Sequence, residues 1–320
     1  MRYDCGQLLK AIDAYIQKDD DDLAEVLGEA GFIDPEETIT EISGLEERVA
    51  QALKKQTKYI TSAAEEAVDL EAFARDIWPG VKLSDDIDEK LRIIFFEEFN
   101  IYMPELISNY VATIDPELVA SAITKRTAAW VESWSEELGQ IMKLNSHEEI
   151  ENILVNGLKD GQGVAEFTQT ILDSGIRDEY YKARRVSVTE VLRAHSYSQH
   201  EAYVQSPAVE NHLWRHTGSQ KNEPRQNHVD MDGQIVPIDE PFVLIGADGE
   251  IYYPMVPRDS ILPPGEAVNC HCIEQPVVSD DILGLPLEER QRLQQEAIDD
   301  DDGEWEKELD AKNKAKAGIE

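Results

Sequence analysis

Apolar residues in the first half of the chain recur at spacings of three and four, the period of a helix with one buried face. After Asp34-Pro35 this pattern continues to about residue 74 without a second proline. Asp favours the cap position of a helix, and Pro favours the first turn, where its missing amide hydrogen has no partner. We therefore predict one long amphipathic helix from Pro35 to about residue 74, with a weak point at Gly44.

Capping residues and prolines predict the borders of the next helices. A second long helix follows Ser84-Asp85 and is kinked or ended at Met103-Pro104, because proline cannot donate inside a helix. Asp115-Pro116 repeats the Asp-Pro start and predicts a helix through Trp130 and Trp134. Ser146 and Glu149 have the spacing of a capping box, which predicts a further helix start. A last helix is predicted from about residue 178 to residue 205.

After Ser206-Pro207 the pattern changes to short β-type segments separated by turns. The segments are 211–216, 242–245 and 272–278, and the turns contain Asp232-Gly233, Asp248-Gly249 and Pro263-Pro264-Gly265. From residue 279 the chain is polar and acidic, with one helix predicted over 287–297. The fold class is therefore α+β: a mostly helical region 1–145, a small mixed α+β module 146–278 and an acidic, partly disordered tail 279–320.

Charge and composition exclude several classes of protein. The formal net charge is −36 with 41% hydrophobic residues, so the chain can build cores but repels phosphate backbones and anionic lipid at long range. No apolar run approaches the ~18 residues of a membrane span, and no signal peptide precedes the first helix. Cys5, Cys270 and Cys272 are too few for a disulfide framework, which favours a reducing cytoplasm as the site of synthesis.

The most specific sequence features lie between Arg184 and Cys272. They comprise a helical segment with Thr189-Glu190, a strand that contains Trp214, an Arg-x-x-His pair followed by a glycine turn, and an Asn-Cys-x-Cys ending. The corresponding runs are 184–195 (RRVSVTEVLRAH), 214–219 (WRHTGS), 223–236 (EPRQNHVDMDGQIV) and 262–272 (LPPGEAVNCHC).

In order and rough spacing, this series resembles the MuF-type family of phage minor head proteins, named for the head-morphogenesis protein F of phage Mu. The resemblance covers about Ser146 to Val278. The residues that carry it are Glu190, Trp214, Arg225, His228, Asp232, Gly233 and Asn269, together with the cysteine pair. His271 stands where the family usually has Arg between the cysteines, which puts any role of that Arg in doubt here.

The resemblance implies a structural, non-enzymatic virion protein. Such a protein enters the head during assembly in the host cytoplasm and lies in the capsid interior near the portal, where it aids assembly, DNA packaging or ejection. Its implied partners are the portal protein and the major capsid or scaffolding protein, with transient contact to phage DNA and none to membranes. Region 1–145 would then be the part that docks on the portal or head.

His228, Cys270 and Cys272 have two interpretations. Thiolates and imidazoles are preferred ligands of Zn²⁺, and a tetrahedral structural site needs a fourth ligand. That ligand would come from the set His216, Asp230, Asp232 and His271. Alternatively, the cysteines are small buried apolar residues, since Cys-x-Cys is tighter than the usual zinc spacing.

Arg225 and Glu190 also have two interpretations each. Arg225 either recognises an anion or carbonyl, or pairs with Asp230 or Asp232 to hold a turn; the acidity of the chain favours the acid pair. Glu190 is either a buried partner of Arg215 or Arg225, or part of a solvated ion pair with Arg193.

Two other functions compete with the structural one. A metal with an open fourth position would activate water for hydrolysis in an enzyme or toxin-like module, with Glu190 or Glu223 as the general base. A DNA-binding module would need a stripe of basic residues. The arginines of this region are instead interleaved with acids, namely Arg184, Arg185, Arg193, Arg215, Arg225 and Arg258.

Overall fold

The structure, a computed structural model, describes residues 22–120, 123–217 and 224–317, without the side chains of 174–181, 312, 313 and 315–317. Cys5 and the proposed base Glu223 lie outside the described residues. The helices of the first two thirds are α1 (22–30), α2 (Pro35–Glu65), α3 (Leu70–Ala72), a π-helical turn (Phe73–Ile77), α4 (Trp78–Ser84), α5 (Ile87–Ile114), α6 (Lys125–Lys159) and α7 (Val164–Val204).

Strands appear only in the last third of the described chain, among short helices. The order is β1 (Val209–Arg215), α8 (Gln226–Asp230), β2 (Ile235–Pro237), β3 (Leu244–Ile245), β4 (Ile251–Tyr252), α9 (Pro264–Ala267), β5 (Ile273–Val278), α10 (Asp280–Leu283) and α11 (Leu287–Ala317). The predicted α+β class, with a helical N-terminal part, is confirmed. Within the described ranges, no helix combines the length and the apolar character needed to cross a membrane.

β1 is the central strand of a three-stranded antiparallel sheet with the order β2-β1-β5. It pairs with β2 through His212 opposite Val236 and with β5 through Trp214 opposite Glu274. β3 and β4 form a separate antiparallel hairpin. Because β1 is central, its alternate side chains point into the core, and Trp214 is fully buried.

Several predicted helix borders are wrong, and packing explains the differences. α5 continues through Pro104, because burial of Met103, Leu106 and Ile107 outweighs the lost backbone hydrogen bond. Asp115-Pro116 does not start a helix: Asp115 accepts a hydrogen bond from the Glu117 amide in a turn, and α6 begins only at Lys125.

The predicted capping box also proves wrong, because Ser146 lies inside α6. Its hydroxyl donates to Gln56 Oε1 over 2.8 Å instead of capping a helix. α2 runs unbroken through Gly44 but ends at Glu65, nine residues before the predicted end.

The acidic C-terminal segment is a helix well beyond the predicted range, since α11 extends to Ala317. Part of its acidic run contacts the start of α6. Asp302 accepts from the Lys125 amide over 2.7 Å, and Asp301 pairs with Arg126 at 2.9 Å. These ion pairs and hydrogen bonds add to the burial of Ile298 in holding an acidic helix against the protein. The three ranges 1–145, 146–278 and 279–320 remain a prediction.

The chain divides into two compact units. Unit 1 comprises 1–42, 102–127 and 189–320, and unit 2 comprises 43–101 and 128–188. Four long helices, α2, α5, α6 and α7, contribute residues to both units. The two units therefore cannot be separated by cutting the chain at a single position.

The core of unit 2 is formed by apolar side chains from α2, α6, α7 and the short helices between α2 and α5. Its buried members are Ile60, Ala64, Leu70, Phe73, Trp78, Val81, Ile150, Leu154, Phe167 and Ile171. Elsewhere in unit 2, α5 and α6 approach closely at Gly139. A Cβ at this position would lie 2.5 Å from the carbonyl oxygen of Asp88. Glycine is therefore required for this helix contact.

Replacing Gly139 by alanine is expected to destabilise the protein by about 1–3 kcal/mol, because two helix backbones must separate. The control is Gly44→Ala in α2, where nothing lies within 4 Å of the added carbon. That change is expected to stabilise the protein by roughly 0.5–1 kcal/mol. Urea unfolding measures both, and equal shifts for the two variants would contradict the close approach.

Unit 1 contains a buried histidine that joins its three chain segments. His195 Nε2 lies 2.9 Å from both Thr38 Oγ1 and Tyr102 OH, and its Nδ1 lies 3.1 Å from Tyr110 OH. Burial, with a smaller contribution from the charge of Arg258, lowers the pKa of His195 to about 3. The imidazole is therefore neutral in the folded protein and uses both nitrogens in hydrogen bonds.

The stability of the protein is expected to fall as the pH drops from 6.5 towards 3. The unfolded chain takes up a proton on His195 near 6.5, whereas the folded chain does so only near 3. The stability that His195 contributes is thus present above pH 6.5 and is lost in this window. Relative to His195→Phe, the wild type should lose up to about 1.4 kcal/mol more per pH unit. The measurement is urea unfolding at a series of pH values. If the free energies of unfolding of the two proteins change with pH by the same amount, the assignment of the low pKa to His195 is wrong.

Candidate metal centre

The cysteine pair and His228 meet beneath the central strand of the small sheet. Cys270 and Cys272 lie in the segment that leads into β5, and His228 lies in α8. All three are nearly fully buried. They adjoin an apolar cluster that includes Trp214, whose ring centre is 6.0 Å from that of His228. The fold thus brings together residues that are more than forty positions apart.

The nitrogen and sulfur atoms of this trio converge on one point. His228 Nδ1 lies 3.5 Å from Cys270 Sγ and 3.6 Å from Cys272 Sγ. All three atoms are within 4.8 Å of one another. The apolar interpretation accounts for the burial of the cysteines, but it does not account for an imidazole nitrogen facing both sulfurs.

Glu266 holds the imidazole of His228 in this orientation. Its Oε2 lies 2.8 Å from His228 Nε2, and its Oε1 accepts from the Ala247 amide over 2.8 Å. With Nε2–H donating to the carboxylate, Nδ1 carries a free lone pair towards the sulfurs. Sequence reasoning missed Glu266, although it lies in the quoted run 262–272.

Among the four candidates for a fourth ligand, His216 is the one whose side chain contacts a sulfur, that of Cys272, although its ring lies outside the group of atoms within 4.8 Å of one another. Its Nδ1 lies 3.5 Å from Cys272 Sγ, and its backbone amide donates to Asp232 Oδ1. Asp232 pairs with Arg215 at 3.6 Å, and Asp230 accepts from Gln226. The backbone carbonyl of His271 accepts from the Thr217 hydroxyl.

The electrostatics of the trio favour a negatively charged sulfur at Cys270, beside the imidazole of His228. A hydrogen bond from Cys272 lowers the pKa of Cys270, and His228 and Arg258 act in the same direction. Burial lowers the pKa of His228, but contacts with Cys270 and Glu266 outweigh burial, so its pKa is raised. A thiolate is the form of cysteine that binds a cation.

The remaining motif residues shape the backbone around this centre. Asn269 has a φ of 55°, a left-handed conformation that asparagine tolerates, directly before Cys270. Gly233 has a φ of 84° in the turn before β2, and its amide donates to the Trp214 carbonyl. Arg225 donates to the Val268 carbonyl over 2.6 Å. Among the described residues the contact of Arg225 is thus with a backbone carbonyl, while Asp230 and Asp232 have other partners, and its guanidinium fixes the loop before the cysteines.

Glu190 forms a buried ion pair with Arg193, one helical turn away in α7. Arg193 was the partner in the solvated alternative, yet both side chains are buried. The other alternative, a buried Glu190, is right in its burial, but the partner seen is Arg193 and not Arg215 or Arg225. Arg193 also donates to the Arg258 carbonyl over 2.7 Å. The ion pair therefore fastens the loop that contains Arg258 onto α7.

A second cluster, His200, His212 and Glu274, is a hydrogen-bonded triad. Glu274 Oε1 lies 3.0 Å from His200 Nδ1 and 2.5 Å from His212 Nδ1. These are hydrogen-bond lengths, and the shorter one leaves no room for a cation between the two atoms. The triad therefore links α7, β1 and β5 through a buried carboxylate.

Arg258 is the residue that holds the cysteine segment against α7. Its guanidinium is almost fully buried and donates to the carbonyl oxygens of Cys270 and Cys272, each at 2.8 Å. It also donates to the Leu192 carbonyl and the Ser196 hydroxyl of α7. Sequence reasoning placed Arg258 among the scattered arginines; no motif signals its role, because its partners are mostly backbone atoms.

Comparisons with known proteins identify a family whose matched region contains this cluster. The family model described as "Phage Mu protein F like protein" matches residues 148–274. An uncharacterized protein of Bacillus subtilis (strain 168), YqbB, is 34% identical over 305 residues, which cover 91% of this chain and 97% of the relative. No solved structure matches the chain. The family match thus includes every residue of the candidate centre.

Arg258→Lys is expected to lower the free energy of unfolding by about 3 kcal/mol or more, because an ammonium group cannot reach four acceptors in two segments. The control is Arg215→Lys, whose side chain is 51% exposed and forms one long ion pair. That change should cost less than about 0.5 kcal/mol. Chemical denaturation compares the variants, and similar midpoints would contradict the role assigned to Arg258.

Proposed function

Since the chain belongs to the phage Mu protein F-like family, we propose that it is a minor structural protein of a tailed-phage head, bound to the portal on the inner side of the capsid. There it aids head assembly, DNA packaging or ejection. The observation that carries the proposal is the family match over residues 148–274, a range that contains the candidate metal centre and the motif residues around it.

The charge distribution supports proteins, rather than DNA, as the main partners. The chain has a net charge of −36, and the arginines of the motif region already have partners within the chain. Arg184 pairs with Glu46, Arg193 with Glu190, and Arg215 with Asp232. Arg225 and Arg258 donate to backbone carbonyls. An acidic surface of this kind suits a basic surface on the portal, the major capsid protein or a scaffolding protein, with only transient contact to DNA.

A structural role also suits the candidate centre better than hydrolysis does. Of the two predicted general bases, Glu190 is engaged by Arg193 in a buried ion pair. The ligand atoms of the trio are buried, whereas a hydrolytic metal needs a position open to substrate and water. We therefore propose that the protein acts by binding and not by catalysis.

The full-length chain is expected to copurify with the portal protein encoded by the same phage genome and to remain bound through a moderate salt wash. Full length is needed because a cut at residue 145 would split α6 (Lys125–Lys159). The measurement is co-expression followed by affinity capture on a tagged portal oligomer. An unrelated protein of similar net charge serves as the control for unspecific attraction.

Purified heads provide the second readout of this experiment. Heads with a portal should contain the chain by mass spectrometry, and heads assembled without a portal should lack it. If the chain binds the portal no better than the charge control and is absent from purified heads, the proposed function is wrong. If it is present equally in heads with and without a portal, the capsid protein replaces the portal as its partner.

A further inference from the structure

We propose that His216, His228, Cys270 and Cys272 bind one structural Zn²⁺ ion, and that Glu266 orients the His228 ligand. The donor set consists of two thiolates and two imidazoles, the combination that tetrahedral zinc prefers. The proposal stands on the geometry of these side chains and is independent of the proposed function.

Three of the six ligand-to-ligand distances match the edges of a zinc tetrahedron. The ring of His216 would have to turn towards the trio to complete the other edges, because it lies outside the group of ligand atoms that are all within 4.8 Å of one another. With a Zn–S bond of about 2.3 Å, a Zn–N bond of about 2.05 Å and a tetrahedral angle, the nitrogen and sulfur ligands lie about 3.6 Å apart. The corresponding edges here are 3.5 Å, 3.6 Å and 3.5 Å, measured from His228 Nδ1 to each sulfur and from His216 Nδ1 to Cys272 Sγ. One imidazole nitrogen is thus placed at the ligand-to-ligand distance from two sulfurs at once.

The groups around the ligands have the arrangement that supports a metal centre. Glu266 receives Nε2–H of His228, as a carboxylate does behind many zinc-bound imidazoles. Arg258 donates to the carbonyls of both cysteines, which fixes their backbone and favours the negative sulfurs. Asp232 accepts from the His216 amide and so holds the backbone of the fourth ligand.

His216 completes the site from its edge. The buried trio of His228, Cys270 and Cys272 is compact, and His216 is only partly buried beside Cys272. A zinc ion would therefore enter from the side of His216 and join the segment after β1 to α8 and the segment before β5. In a module whose sheet has only three short strands, such a cross-link supplies stability that the small core does not.

The test is zinc binding by the full-length chain, purified under reducing conditions, stripped with a chelator and reloaded with Zn²⁺ or Co²⁺. We expect one equivalent of zinc per chain by elemental analysis. The Co²⁺ form should show thiolate-to-cobalt charge transfer and the strong visible bands of a tetrahedral site. Removal of zinc should lower the melting temperature. A wild-type chain that holds no stoichiometric zinc, or whose cobalt spectrum is octahedral, overturns the proposal.

Variants then assign the ligands. Cys270→Ser and His228→Asn should abolish stoichiometric binding, and Cys5→Ser should leave it unchanged. Glu266→Gln should weaken zinc affinity about tenfold to a hundredfold. Circular dichroism checks that each variant is folded; where a cysteine variant is not, the cobalt spectrum of the wild type still decides between tetrahedral thiolate ligation and none.

His216 and His271 form the matched pair for the fourth ligand. His216→Asn should weaken zinc binding and shift the cobalt bands, because one imidazole is replaced by a weaker ligand. His271→Arg, which changes the residue between the cysteines, should leave both the affinity and the spectrum unchanged. The reverse result would remove His216 from the site and overturn the proposed ligand set.

Discussion

The buried guanidinium of Arg258 is the constraint on which the C-terminal module depends. It donates to backbone oxygens in two segments, α7 and the cysteine loop, and its own carbonyl accepts from Arg193. A buried arginine is costly unless every donor finds an acceptor, so the two segments can pack only in the arrangement that supplies them. Arg258 also has a φ of 64°, a conformation that costs a non-glycine residue about 1 kcal/mol and that these hydrogen bonds offset.

This arrangement explains why motif residues from distant parts of the sequence matter together. Glu190 positions Arg193, Asn269 turns the chain into Cys270, and Arg225 holds the carbonyl of Val268. The contacts of Asn269 and Arg225 act on the backbone just before the cysteines, and the Glu190–Arg193 pair acts through the carbonyl of Arg258. The family match, which covers residues 148–274, thus includes this polar framework and the cysteine–histidine centre inside it.

The strong negative charge of the chain suits the proposed function. Among the described residues, Arg193, Arg258 and Arg290 are buried, and so are several acids that pair inside the protein, such as Glu190, Glu266 and Glu274. Most of the other described acids are partly or fully exposed. Several carboxylates of α11 form ion pairs, with Lys125 and Arg126 of α6 and with Arg292 of α11 itself. The net charge of the chain nevertheless remains −36. A chain with this net charge is repelled by nucleic-acid phosphates at long range, which suits the proposal that its main partners are proteins.

The sequence by itself determined the α+β class, the amphipathic α2 and the β1 and β5 segments, because apolar periodicity depends only on which face is buried. It also determined the family, since the order and spacing of motifs can be read without knowing which residues are in contact. Tertiary structure decided the rest. Burial carried α5 through Pro104, and packing moved the start of α6 to Lys125. Only the fold could show that Glu266 faces His228 and that Arg258 binds the cysteine loop. These residues become partners because folding brings them close together, and no regular spacing in the sequence marks such pairs.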